Sequence, residues 1–177
     1  MKKIVVILIA VTMLFTACNS NSASSSKHDF RDVDFGMSTI ELFEIEGEPD
    51  DELSSDDRVT YSYNNKEAFG VKNVNLKYWV DKNGVVLAYA IFQNEYADNK
   101  SYITEYNTVK KNLIAALGEP ESIVEDETEF NFRCTWENQL LTLNRNSNDS
   151  VFFQVVAHSP NFTPPKLTGE QNSETSE

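Results

Sequence analysis

An internal repeat constrains the fold of this chain more than any other feature. Residues 42–63 align without a gap on residues 113–134, at an offset of 71 positions. Gly47-Glu48-Pro49 falls on Gly118-Glu119-Pro120, and residues 59–63 fall on the equally alternating residues 130–134. A period of this length is typical of a duplicated structural unit. We therefore expect two copies of one unit, at about residues 35–92 and 99–157.

Each unit is predicted to begin with a helix. Ser38-Thr39-Ile40-Glu41 has the spacing of a capping box. In the second unit, apolar residues recur at three- and four-residue steps from Tyr102 to Leu117, which is the period of an amphipathic helix. The Gly-Glu-Pro segments follow as helix ends, because glycine tolerates positive φ and proline cannot continue the helix. We interpret them as structural rather than catalytic.

Three strands are expected after each helix, since apolar residues alternate with polar ones there. The expected strands are residues 59–63, 74–80 and 85–92 in the first unit, and 130–136, 139–143 and 151–156 in the second. The predicted fold class is α+β. Two pseudo-symmetric helix-plus-three-strand repeats would form one antiparallel sheet with both helices on one face.

This pattern resembles a known family over about residues 35–157. Tandem units of a short helix ending in Gly-x-Pro, followed by an antiparallel meander, resemble the beta-lactamase inhibitory protein. A single unit, with Gly36-Met37-Ser38 before its helix, is similar to small outer-membrane assembly lipoproteins. The resemblance implies a binding protein that docks through its sheet face and hairpin loops. This chain has no cysteine pair within either unit, so the resemblance implies neither beta-lactamase inhibition nor any inhibitory residue.

The N-terminus is predicted to be a signal peptide spanning residues 1–17. Lys2 and Lys3 precede an apolar run that is too short to span a membrane and is followed by small residues. Thr16-Ala17-Cys18 resembles a lipobox, in which Cys18 is lipidated and becomes the first mature residue. The alternative is an ordinary secreted protein with a chance cysteine. We expect a protein held by acyl chains at the extracytoplasmic face of a bacterial membrane.

Polar segments are expected on both sides of the folded domain. Residues 18–29 are rich in serine and asparagine and are predicted to be a flexible tether. Residues 30–158 are long enough for one domain with a single core. Residues 159–177 are polar and contain two consecutive prolines, so we expect a disordered tail.

Charge and composition exclude several functions. The net charge is −13, and removal of the signal peptide leaves 13 basic side chains against 28 acidic ones. Nucleic acid is therefore not an expected partner, since phosphate binding needs clustered Lys and Arg. The two histidines, His28 and His158, fall in the predicted tether and beside the predicted tail. No nucleotide, dinucleotide or metal motif is present, so we expect neither an enzyme nor a cofactor.

Two alternative functions stay open. One is a sensor or carrier of a small ligand. The other is a hydrolase, or a calcium site, that uses acidic loops between helix and first strand: residues 50–52 with 56–57, and residues 125–127.

Cys134 is expected to be a buried small hydrophobe. Lipidation would consume Cys18, the other cysteine, so no disulfide is possible in the mature chain. The alternation places Cys134 with Phe130, Phe132 and Trp136 on the helix-covered face, and free cysteine is among the most buried residue types.

A partner-binding surface is predicted from an Asn83-Gly84 hairpin turn. With these two residues as the loop, Tyr78 pairs with Tyr89 and Trp79 pairs with Ala88. Leu76, Tyr78, Val80, Leu87, Tyr89 and Ile91 would then lie under a helix, leaving Trp79 on an open face. The predicted contacts with a protein partner are Trp79, Phe92, Lys77, Arg133, Leu140 and Phe152. In the alternative, a loop or the tail covers Trp79.

Overall fold

The computed structural model describes residues 28–163, so the signal peptide, Cys18, most of the tether and residues 164–177 lie outside it. The chain runs through a helix and four strands, twice. The first set is α1 (Thr39–Glu46), β1 (Asp51–Ser54), β2 (Val59–Ala68), β3 (Val71–Asp81) and β4 (Gly84–Phe92). The second set is α2 (Asn99–Leu117), β5 (Ser122–Asp126), β6 (Asn131–Trp136), β7 (Gln139–Arg145) and β8 (Val151–His158).

The strands form one eight-stranded sheet in the order β1-β2-β3-β4-β8-β7-β6-β5. Every neighbouring pair is antiparallel. The two halves join at the centre, where β4 pairs with β8, for example Ala88 with Ala157 and Ala90 with Val155. The first strand of each half therefore lies at an outer edge.

The predicted helix-plus-three-strand repeat is wrong, because each helix is followed by four strands. The missed strands are β1 and β5, in which every residue is exposed. They carry no alternation of buried and exposed side chains, which is the signal from which strands are predicted. Backbone pairing with β2 and β6 holds them, as between Asp51 and Ser62 or Ile123 and Cys134. The acidic segments expected in loops therefore lie partly in edge strands, where charge discourages further pairing.

Local capping explains both helices. Ser38 accepts a hydrogen bond from the Glu41 backbone N–H, and the Glu41 carboxylate accepts one from the Ser38 N–H in return, which is the predicted capping box. Asp98 caps α2 by accepting from the Ser101 N–H at 2.8 Å. Gly47 and Gly118 follow the helices with φ of 86° and 88°. Both helices end where the sequence predicts.

Both helices bury side chains in one core against the same sheet face. Leu42 of α1 and Tyr106 of α2 are fully buried with Tyr78 of β3 and Leu141 of β7. Cys134 is also fully buried, with its Sγ 3.1 Å from the Tyr106 hydroxyl. The predicted burial of Cys134 is confirmed.

The predicted register between β3 and β4 is wrong by two residues next to the turn and by one residue from Trp79 onward. The turn is formed by residues 82–83, since Asp81 pairs with Gly84, and a bulge between Trp79 and Val80 shifts the remaining pairs. Leu87, Tyr89 and Ile91 consequently share a face with Trp79, while Ala88, Ala90 and Phe92 lie beneath the helices. Gly84, the first residue of β4, lies against the backbone of residues 36–37.

Candidate interface on the open sheet face

The sheet face opposite the helices carries rows of side chains that run from one half to the other. In one row, Lys77 lies opposite Tyr89, Tyr89 opposite Val156, and Val156 opposite Leu140. A second row contains Ile91, Gln154, Thr142 and Arg133. Because paired residues on neighbouring strands point to the same side of a sheet, these rows form one surface, which we call the open face.

Five of the six predicted partner-binding residues lie on the open face. Lys77 and Arg133 are exposed, Trp79 and Leu140 are half-buried, and Phe152 is 44% exposed. Phe92 is the exception, since only 7% of it is exposed. Its ring stacks on Phe153 in the core, with centroids 4.1 Å apart. The assignment of Phe92 to the open face is wrong because it follows from the incorrect register.

Four further apolar residues belong to this surface, and the same error hides the three that lie on β4. Tyr89, Ile91 and Val156 are half-buried there, and Leu87 is buried beside Trp79. The predicted register places the three β4 residues of this set under a helix instead. The alternation in β4 is clear in the sequence, but its direction depends on the bulge at Trp79, for which the sequence contains no signal.

Trp79 is partly covered by two other segments. The Arg58 guanidinium carbon lies 4.3 Å from the centre of its ring, a cation–π geometry. Phe162 meets the indole edge-on at 6.1 Å, and Tyr89 lies at 6.0 Å. Residues 159–163, expected in the disordered tail, pack here, anchored by the Ser159 N–H donating to the Val86 carbonyl at 2.9 Å. The alternative in which the tail covers Trp79 therefore holds in part.

A cleft of about 950 Å³ opens beside this cluster. Trp79, Arg58 and Phe162 line it, together with Asp56 and Lys82 from two hairpins of the first half. The cleft combines an aromatic wall with charges of both signs. Its volume is in the range of small-molecule sites.

The acidic segments of the two repeats lie far apart. β1 and β5 are the opposite edges of the sheet, so seven strand spacings, about 30 Å along the sheet, separate them. A glycosidase needs its two carboxyl groups within about 10 Å of each other, and carboxylates from the two repeats cannot meet that condition. Within residues 28–163, no group of three His, Cys, Asp or Glu side chains is placed to hold a metal ion.

Comparison with known proteins finds only distant structural similarity. No family model and no curated protein matches the sequence. Among solved structures, the DUF4309 family protein YjgB of Bacillus subtilis is similar at 10% identity and a TM-score of 0.38, over 72% of this chain and 82% of that one. A cysteine-rich secretory protein of Staphylococcus aureus is similar at 10% identity and a TM-score of 0.36, over 71% and 43% of the two chains.

A third similar structure is an extracellular SCP-domain protein of Bacillus anthracis, at 13% identity and a TM-score of 0.37. The match covers 87% of this chain and 50% of that one. Two of these three proteins are thus described as secretory or extracellular. In the part of the chain that the structure describes, no helix has the length and apolarity to cross a membrane.

Proposed function

We propose that this protein is a lipid-anchored, extracytoplasmic module that binds another protein through the open face and catalyses no reaction. The observation that carries the proposal is the apolar surface across the centre of the sheet. The solvated face of an antiparallel sheet is usually polar. Here Tyr89, Ile91, Val156 and Leu140 lie on it half-buried, and Phe152 is exposed.

The composition of this surface supports a protein partner. Aromatic residues and arginine are enriched in interface cores, where Trp, Tyr and Arg often dominate the binding energy. The open face has Trp79 and Tyr89 near its centre and the exposed cations Lys77 and Arg133 in its two halves.

The anchor rests on the sequence around Cys18. The strongly acidic chain would be repelled by anionic headgroups, so acyl chains rather than surface charge would hold it at the membrane. The mature protein should begin at an acylated Cys18, and Cys18→Ala should prevent lipidation and cleavage. Intact-mass measurement of the purified protein tests this, and an unmodified N-terminus would refute the anchor.

A charge introduced on the open face tests the binding function. Phe152→Asp should weaken capture of the crosslinked envelope partner at least about tenfold, since an exposed aromatic at an interface contributes roughly 1–2 kcal/mol or more. Ile40→Asp is the matched control, because Ile40 is an exposed apolar residue (72%) on α1, which packs on the opposite face. Equal capture by both variants, with unchanged thermal melts, would place the binding site elsewhere.

The cleft beside Trp79 supports a second candidate, a carrier of a small ligand. Its volume and aromatic wall suit an organic molecule. Native mass spectrometry of the protein purified from its own cells would distinguish the two functions. A bound small molecule that is lost in Phe162→Ala would favour the carrier, whereas an empty cleft in a protein that still captures a partner would favour the interface.

A further inference from the structure

A second cleft, lined by none of the open-face residues named above, lies where α2 ends against the β6–β7 hairpin. Its volume is about 390 Å³, near the lower end for a ligand site. Three glutamates line it: Glu119 and Glu121 after the helix, and Glu137 in the hairpin turn. All three are exposed, and none of their carboxylates forms an ion pair within the described residues. Among the described lining residues there is no lysine or arginine.

The end of α2 adds to the negative potential of this cleft. The helix has 19 residues, with no basic residue in its last turn. The C-terminus of a helix carries a partial negative charge, which a cation nearby would stabilise. Leu117, the last helical residue, lines the cleft.

A buried hydrogen-bond acceptor at the cleft points to a ligand independently of the carboxylates. Gln139 lines the cleft and is only 8% exposed. Its Nε2 donates to the Asp29 carbonyl, which fixes the orientation of the amide. Its Oε1 is buried and accepts no hydrogen bond from the described residues. Buried acceptors nearly always have a donor, so a group that brings N–H donors would complete the site.

Trp136 also lines the cleft, with 7% of the residue exposed. Its indole Nε1 donates to the Gly118 carbonyl at 2.8 Å, which fixes the ring between the helix end and the hairpin. His28, which also lines the cleft, pairs with Asp34 at 3.1 Å. A planar, charged group with several donors matches this combination of carboxylates, amide oxygen and indole. The guanidinium group has these properties, since it binds carboxylates in a bidentate manner and stacks on aromatic rings.

We propose that this cleft binds the guanidinium group of an arginine side chain presented by another polypeptide. Glu119, Glu121 and Glu137 supply the opposite charge, Gln139 Oε1 accepts a hydrogen bond, and Trp136 contacts the planar group. The site does not depend on the open face, so either can exist without the other.

NMR of the full-length protein in mild detergent tests this site through the indole N–H resonance of Trp136. Trp79→Phe, which leaves Trp136 as the sole tryptophan, assigns that resonance. The probe is N-acetyl-arginine amide, and its neutral isostere N-acetyl-citrulline amide is the control ligand. We expect a saturable shift with the arginine probe and none with citrulline.

Charge-neutral variants then test the carboxylates. The triple variant Glu119→Gln/Glu121→Gln/Glu137→Gln should weaken binding of the arginine probe about tenfold, at about two- to threefold for each exposed ion pair. Its charge-matched control replaces three exposed glutamates away from the cleft: Glu44→Gln, Glu67→Gln and Glu95→Gln. The control should bind like the wild type.

Three results would overturn the proposal. Equal shifts with citrulline and arginine would show that charge plays no part. Equal weakening in the two triple variants would reduce the effect to net charge. A shift with calcium chloride but not with the arginine probe would make the cleft a metal site. Loss of partner capture by open-face variants would leave this test unaffected, so failure of the proposed function and failure of this site can be distinguished.

Discussion

Gly84→Ala should be among the most damaging single-methyl additions to this fold. Gly84 has a φ of +95°, and a Cβ there would lie 2.4 Å from the Gly36 carbonyl oxygen and 2.5 Å from that of Met37. Both atoms belong to backbone that is paired with β4. The Gly36 N–H donates to the Val85 carbonyl, and the Val85 N–H donates to the Met37 carbonyl, each at 2.8 Å. The methyl group therefore cannot fit unless this pairing opens.

The loss of unfolding free energy expected for Gly84→Ala is the sum of two separate costs. A non-glycine residue at such a φ costs about 1–3 kcal/mol. Overpacking against rigid backbone adds about 1–3 kcal/mol. Gly47 separates the two costs, because its φ is +86° but a methyl group on its Cα would meet no atom within 4 Å. Gly47→Ala should thus be destabilised by the backbone strain alone. Gly84→Ala should be destabilised by about 1–3 kcal/mol more than Gly47→Ala.

Urea denaturation followed by far-UV circular dichroism measures both variants, with the free energy of unfolding taken from the midpoint and slope. Gly118→Ala is a second reference, since it has a φ of +88° and an equally open surrounding. Equal destabilisation of all three variants would refute the reasoning, because it would show that the N-terminal segment moves aside at no cost.

Stability should also fall above pH 10. Burial, and next the neighbouring Glu46 carboxylate, raise the pKa of Tyr78 above its usual value. The contribution of Tyr78 to the free energy of unfolding is therefore complete below pH 10. It is lost as the pH rises further, at about 1.4 kcal/mol per pH unit. Burial also raises the pKa values of Tyr63 and Tyr106, so these residues should make the loss of stability steeper. Tyr78→Phe should make the slope of the unfolding free energy against pH shallower. An unchanged slope would contradict this prediction. Cys134 should react with a thiol reagent no faster than the protein unfolds, because it is fully buried and burial raises the pKa of its thiol. Fast labelling under native conditions would count against that expectation.

The helices could be predicted because their signals are local. The Ser38–Glu41 capping box and the glycines after each helix act within a few residues, and the structure reproduces them. Burial of Cys134 could also be predicted, since it follows from alternation within a single strand. Such inferences do not depend on which strand lies next to which.

The edge strands could not be predicted from side-chain pattern. β1 and β5 are exposed along their whole length and exist because β2 and β6 offer them backbone partners. A strand that buries no side chain leaves no alternation in the sequence. The predicted fold class is therefore wrong at both outer edges of the sheet.

Some of the interface residues could be predicted from the pattern within one strand, whereas others depend on how two strands pair. Alternation within one strand places Trp79 and Lys77 correctly relative to each other, but it assigns the partner strand β4 to the wrong face. A one-residue change of register moves every side chain of a strand to the other side. The contact of Gly84 with Gly36, two residues far apart in the sequence, accompanies the register that the structure adopts.

The central pairing of β4 with β8 makes the whole sheet depend on the last strand of the domain. β8 ends at His158, yet it lies between β4 and β7 rather than at an edge. A chain that lacks these residues would hold one four-stranded and one three-stranded piece with unpaired inner edges. Such non-local pairing is slow to form, because a long loop must close first. The sheet can therefore assemble only after nearly the whole domain is available, and a shortened C-terminus would leave exposed edges prone to aggregation rather than a smaller folded domain.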